Sequence, residues 1–231
     1  MLVEIEAKGN TRVMRMQNGK DNRFNTDFVD ALNHALDDIE ADNDVRAIVV
    51  TGAQEKYFSN GIDIEWVAKS GPDIMQVFFP NFLRMLERFL VFPKPVVIAI
   101  NGHAFAGGFF FAMTADYRIM RADRGWCCAN EINLGMPLCK GLLALPRYVV
   151  GNRIAQRILM AGERFTPEAS LNLGIVDQLA SREELLEQAI VTADMLGSKN
   201  PQRYAEYKRD LRSETSLMLL DDAENYSIPF D

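Results

Sequence analysis

Two stretches of β-branched and apolar residues, 45–51 (VRAIVVT) and 96–100 (VVIAI), each run into a glycine turn and then into a helical pattern. Side chains alternate between the two faces of a sheet, so a strand that is apolar throughout must be covered on both. A third such run, 117–121 (YRIMR), follows the second after one short helical segment. Between the first two runs, residues 73–90 place Met75, Phe79, Phe82, Leu86 and Phe89 at helical spacing, and Pro93 and Pro95 stop the pattern. Strand, helix, strand, glycine turn, helix, strand is the order that builds parallel pairs. The chain is therefore expected to be an α/β protein.

The flanks are consistent with this class. Residues 2–7 alternate apolar and polar, and residues 13–16 can pair with them as a hairpin. Asn25-Thr26 can cap a helix whose apolar face is Phe28, Leu32, Leu36 and Ile39. Residues 52–61 read as a loop, and Asp63 as the cap of a helix that follows it. From Pro137 the pattern is helical over 142–150, 153–160, 167–173, 182–196 and 202–219, with one short strand at 175–179. There is no repeat and no Pro/Gly/Ser linker. The expected organisation is an α/β core domain over residues 1–200 and a short helical C-terminal segment over 201–231.

Composition narrows the function classes. The 231 residues are 48% hydrophobic and 25% charged, with a net charge of −7, so a basic surface for nucleic acid is not expected. The three cysteines, Cys127, Cys128 and Cys139, are odd in number, and the two histidines, His34 and His103, lie far apart, so no metal site is expected. Reduced, buried thiols and the absence of a secretory signal point to a cytoplasmic setting. Apolar stretches such as 95–100 and 105–113 are too short to span a bilayer. The last five residues, SIPFD, are not a peroxisomal tripeptide of the Ser-Lys-Leu kind.

Three segments can carry chemistry: 57–64 (YFSNGIDI), 101–108 (NGHAFAGG) and 130–137 (NEINLGMP). In the first two a strand gives way through glycine to a helix. Such turns leave backbone N–H groups unpaired, and two side by side can point at one oxygen atom as an oxyanion hole. Taken alone, the same glycines equally serve tight turns only. The third segment sets Glu131 among apolar neighbours, where burial would raise its pKa and suit it to proton transfer; a glutamate facing water is the plainer alternative. Phe109, Phe110 and Phe111 can line an apolar tunnel or fill the core. His103 reads as a structural hydrogen-bonder and Cys139 as buried filler.

In order along the chain, residues 22–25 (NRFN), 47–52 (AIVVTG), 58–64, 94–102 (KPVVIAING), 112–120 (ending ADYRIM), 153–162 and 174–176 (GIV) resemble the crotonase family, the enoyl-CoA hydratase/isomerase superfamily. The resemblance implies a crotonase-like fold of repeated ββα units, with two packed sheets and a helical C-terminal portion. It places the two oxyanion-hole amides on Ile62 and Gly107. Hydratases of the family use two glutamates. The position of the first is Phe110 here, and the second matches Glu131 in Asn130-Glu131-Ile132-Asn133-Leu134-Gly135. A chain with only the second glutamate is similar to the Δ3,Δ2-enoyl-CoA isomerase branch. The implied reaction converts 3-enoyl-CoA to 2-trans-enoyl-CoA with Glu131 as the catalytic proton shuttle.

The resemblance further implies substrate or CoA contacts from Arg23, Ser59, Asn60, Gly61, Gly108 and Phe110, although Asn60 stands where the family usually has a small residue. It implies no metal or redox cofactor, CoA being part of the substrate. It also implies a homotrimer or hexamer, for which Leu185, Leu186, Ile190, Leu196, Leu211, Leu217 and Leu220 offer apolar stripes. Two alternatives remain open: another acyl-CoA thioester reaction, hydrolase or hydratase-like, and a non-catalytic acyl-CoA-binding subunit.

Overall fold

The computed structural model describes residues 1–71 and 73–226. The C-terminal peptide 227–231, read above for a targeting tripeptide, lies outside the described residues. In chain order the strands are β1 (Val3–Lys8), β2 (Thr11–Met16), β3 (Ala47–Gly52), β4 (Tyr57–Ser59), β5 (Val96–Ile100), β6 (His103–Phe105), β7 (Tyr117–Arg121), β8 (Cys127–Cys128) and β9 (Gln178–Ala180). The helices are α1 (Thr26–Ala41), α2 (Ile64–Ser70), α3 (Ile74–Val91), α4 (Gly107–Ala112), α5 (Lys140–Ala161), α6 (Pro167–Asn172), α7 (Leu185–Gly197) and α8 (Pro201–Asn225).

Six strands form one sheet in the order β1-β2-β3-β5-β7-β9. The β1–β2 hairpin is antiparallel and every later pair is parallel. The apolar runs are explained by burial on both faces. Ile48, Val50, Val96, Ile98 and Ile100 pack into the main core with the stripes of α1 and α3. Ala47, Val49, Val97, Ala99 and Ile119 point the other way, onto α7. Asn25 caps α1 by accepting from the Phe28 N–H at 3.0 Å, and Asp63 caps α2 by accepting from Trp66 at 3.1 Å. Both caps match the sequence reading.

Several expectations need correction. The loop read over 52–61 contains β4, which pairs with β6, and β6 with β8, as a second, three-stranded parallel sheet. Strands of two or three residues are too short for alternation to show. The strand expected at 175–179 begins at Gln178, because the Ile175 and Val176 N–H groups bond back to the Ser170 carbonyl and finish the turn after α6. The two helices read over 142–150 and 153–160 are borne out: the range labelled α5 is divided at Gly151, whose backbone is non-helical (φ 74°, ψ 164°). The α7 stripe lies against this chain's own large sheet. Leu185 is buried, and Leu186, Ile190 and Leu196 pack beside it against the back of the large sheet. On α8, by contrast, Leu211 and Leu217 are 74% and 66% exposed.

Helix α8 lies against α3 and α5 and is pinned by charge. The Asp116 carboxylate, just before β7, accepts from the Val96 N–H at 2.6 Å and from Lys208 at 2.6 Å, and pairs with Arg212 at 2.8 Å. Arg212 also donates to the carbonyls of Leu90, Thr114 and Ala115. Burial pulls the Lys208 ammonium down to about 8 against the opposing pull of Asp116. Removing the acid from a buried ion pair strands the cations. Asp116→Asn is therefore expected to cost about 3–5 kcal/mol, measured by urea denaturation at neutral pH.

Candidate active site

The two glycine turns meet. In the first, Phe24 donates to the Gly61 carbonyl at 2.8 Å and Asp63 donates to the Phe24 carbonyl at 2.9 Å. This short bridge uses the groups on either side of the Ile62 N–H. Asn22 fixes the same segment: its side chain donates to the Phe58 carbonyl at 3.0 Å, and Ser59 Oγ donates to the Asn22 carbonyl at 2.7 Å. In the second turn, Ala106 takes φ 50° and ψ −124°, a conformation that costs an alanine energy. Its carbonyl accepts from Phe109 and Phe110, which starts α4 at Gly107.

Contact between the turns requires glycine at two places. A methyl on Gly108 would overlap the Ser59 backbone. Gly61 has φ +84°, and a methyl there would lie 2.9 Å from the Gly107 nitrogen. A methyl on Gly107 would lie 3.5 Å from the Ile62 nitrogen. Among the described residues, neither the Ile62 nor the Gly107 N–H donates to a protein acceptor. Both residues line one cavity of about 530 Å³.

Glu131 lines the same cavity. It opens a 3-10 turn, Glu131–Leu134, directly after β8, and Gly135 closes the turn at φ 64°. The side chain is buried, with the residue only 8% exposed. Its Oε2 and the neighbouring Asn130 Oδ1 are buried without a hydrogen-bond partner among the described residues. Desolvation by apolar walls raises the Glu131 carboxyl from its ordinary 4.5 to about 7. A carboxylate with a free oxygen and such a pKa can take and return a proton near neutral pH.

Of the three phenylalanines, Phe110 alone lines the cavity. Phe111 packs against Phe89, Phe24 and Phe58 in the core, and Phe109 is fully buried. Arg23 and Asn60 also line the cavity. The Arg23 guanidinium pairs with Asp21 at 2.8 Å, Glu65 at 3.0 Å and Asp63 at 3.7 Å, while Asn60 donates to Asp21 at 3.2 Å. Ser59, Gly61 and Gly108 are buried and stand one layer behind the residues that line the cavity. They hold the turns that present Ile62 and Gly107. His103 accepts from the Trp126 N–H at 3.2 Å and stacks on Phe105, a structural role.

Residues that sequence reasoning assigned to the core, or did not single out, complete the wall. Phe79 and Phe82 are read from periodicity only as inward-facing. Leu134 and Met136 line it from the segment 130–137 already marked by Glu131, whereas Leu142 and Tyr226 line it without any sequence signal that distinguishes them. Among the described residues no group of three or more His, Cys, Asp or Glu could hold a metal ion, and no helix is long and apolar enough to cross a membrane.

The chain is similar to known proteins over most of its length. The model of the enoyl-CoA hydratase/isomerase family matches residues 6–226. Enoyl-CoA delta isomerase 3 of Arabidopsis thaliana is 30% identical over 223 residues, which cover 93% of this chain and 94% of that protein. Carnitinyl-CoA dehydratase of Escherichia coli (strain K12) is 35% identical over 187 residues, 80% of this chain and 70% of the other. The crystal structure of human mitochondrial delta3-delta2-enoyl-CoA isomerase superposes with a TM-score of 0.92 at 26% identity, covering 96% of this chain and 87% of that one. With two contacting turns, a buried carboxylate and a family match over nearly its whole length, the chain belongs to the enoyl-CoA hydratase/isomerase family.

Proposed function

We propose that the protein converts 3-enoyl-CoA to 2-trans-enoyl-CoA. The observation that carries this reading is a single buried carboxylate, Glu131, sharing an apolar cavity with two unpartnered backbone amides. The thioester oxygen sits at the Ile62 and Gly107 N–H groups. Ionised Glu131 takes a proton from C2, and the electron pair spreads over C2, C4 and the thioester oxygen as a dienolate. The two amides stabilise the oxygen's charge, an effect of about 3 kcal/mol per donor in comparable sites. Glu131 then returns the proton at C4, which leaves the double bond between C2 and C3. The proton balance closes on one residue, so the reaction as written calls for no additional cofactor.

Phe110 stands where a second carboxylate would activate water, and its ring helps keep water from the dienolate. Arg23 and Asn60 form the polar rim and face the CoA portion, where Arg23 exchanges a carboxylate partner for phosphate. The buried, unpaired state of all three cysteines supports a cytoplasmic setting. A second reading, hydration or dehydration of an enoyl-CoA, draws support from the carnitinyl-CoA dehydratase relative. Among the described residues the other glutamate or aspartate lining the cavity is Glu65, which is paired with Arg23, and position 110 itself carries a phenylalanine.

Glu131→Gln is expected to keep acyl-CoA binding and to lose nearly all turnover of 3-enoyl-CoA, followed by absorbance of the conjugated product. Substantial residual kcat rules out the assignment. The carboxyl must be ionised to accept the C2 proton, so kcat/KM is expected to rise with pH to a plateau above about 7. Glu131→Gln should abolish that limb in whatever activity is left.

Hydration of crotonyl-CoA by the same preparation is expected to be far slower than isomerisation. Equal rates would refute the role given to Phe110, and release of free thiol would point to a hydrolase. The reading extends to assembly as a homotrimer or hexamer, which would cover the exposed Tyr207, Leu211 and Leu217 face of α8. Light scattering at micromolar concentration is expected to give a trimer or hexamer mass; a mass near 26.1 kDa removes the assembly and leaves the chemistry intact.

A further inference from the structure

The cavity has two unlike ends. Arg23, Asn60 and Glu65 supply its polar rim. From the Gly107 amide the wall continues through aromatic rings. Phe82 reaches to 3.1 Å from where a Gly107 methyl would stand. The Phe79 ring lies 6.5 Å from Phe82, and the Tyr226 ring lies 6.0 Å from Phe79, centre to centre. Met75, one turn before Phe79 on α3, lines the same cavity, as does Leu142 at the start of α5.

Tyr226 is held in place by backbone contacts. Its N–H donates to the Asp222 carbonyl at 2.9 Å, and the Asp222 carboxylate accepts from the Gly141 N–H at 2.5 Å. The chain of α8 is pressed so closely on α5 that a methyl on Gly141 would lie 2.7 Å from Leu219 Cα. The backbone at Tyr226 is thus tied to the end of α8, and its ring packs beside Phe79.

We propose that Tyr226, backed by Phe79, is the residue that limits the length of the acyl chain. This rests on the acyl-CoA reading above and adds which acyl groups the site accepts. A chain that stops short of the ring buries each added methylene against apolar wall, which is worth roughly fourfold in affinity per methylene. A chain long enough to reach the ring must displace it or turn out into water, and the gain stops. Tyr226 is a specificity residue and moves no proton.

The test uses the full chain and saturated acyl-CoAs from butanoyl to palmitoyl, titrated by calorimetry, with kcat/KM for the matching 3-enoyl-CoAs alongside. In the unmodified protein, affinity is expected to climb by roughly fourfold per methylene and then level at a break length. Tyr226→Ala is expected to move that break to longer chains, with the same slope below it and roughly fourfold gained for each further methylene accepted. Tyr226→Phe keeps the ring and should keep the break. An unmodified protein without a break overturns the proposal, as does a Tyr226→Ala profile that is unchanged or lowered at every length. Saturated thioesters cannot isomerise. A shifted break without turnover therefore upholds the length limit and rejects the isomerase reading, whereas no binding at any length rejects both.

Discussion

The carboxylate of Asp116 ties the large sheet to the C-terminal helix α8. It accepts from the first residue of β5, stands at the entrance to β7 and binds both buried cations of α8. Through Arg212 the network reaches the carbonyls at the end of α3 and after α4. Those helices form the cavity's aromatic wall and its second amide turn. A buried charge network costs desolvation on every member, so its return lies less in net stability than in fixing where α8 sits. Here that position matters, because α8 ends at the cavity with Tyr226.

Glu131 represents the opposite bargain. Its carboxyl is taken from water and given no partner on Oε2, which raises its pKa from 4.5 to about 7. A raised pKa means that the folded state holds the proton more tightly than the unfolded chain does. The associated stability is fully present below about 4.5 and is lost as pH rises through about 7, a difference of up to about 3 kcal/mol. The fold thus gives up stability where the site needs a base. Phe82, Phe110 and Leu142 are among the apolar residues that line the cavity with Glu131.

Much of this was legible in the sequence where one residue answers to one force. The strands β3 and β5 are apolar at nearly every position because helices cover both faces, and α1 starts where Asn25 can cap it. That the turns at Ile62 and Gly107 share one cavity with a buried Glu131 was visible only as an ordered set of short segments, since each alone has a plainer explanation. What stayed hidden depends on distant contacts. The strands β4, β6 and β8 exist because their neighbours hold them together. The α7 stripe is spent inside the chain, and periodicity cannot tell a sheet from a second subunit. Nothing local separates Tyr226 from any other tyrosine at a helix end.

The donors at the proposed oxyanion site belong to the main chain, and this displaces the map of mutational tolerance from the map of contact. The side chain of Ile62 can be exchanged without removing the N–H that faces the cavity. Gly61 and Gly108, which do not line it, have no acceptable replacement, because any Cβ pushes the two turns apart. A survey of variants would therefore find its most intolerant positions one layer behind the reacting atoms. The shape of the cavity is protected from drift by residues that do not line it.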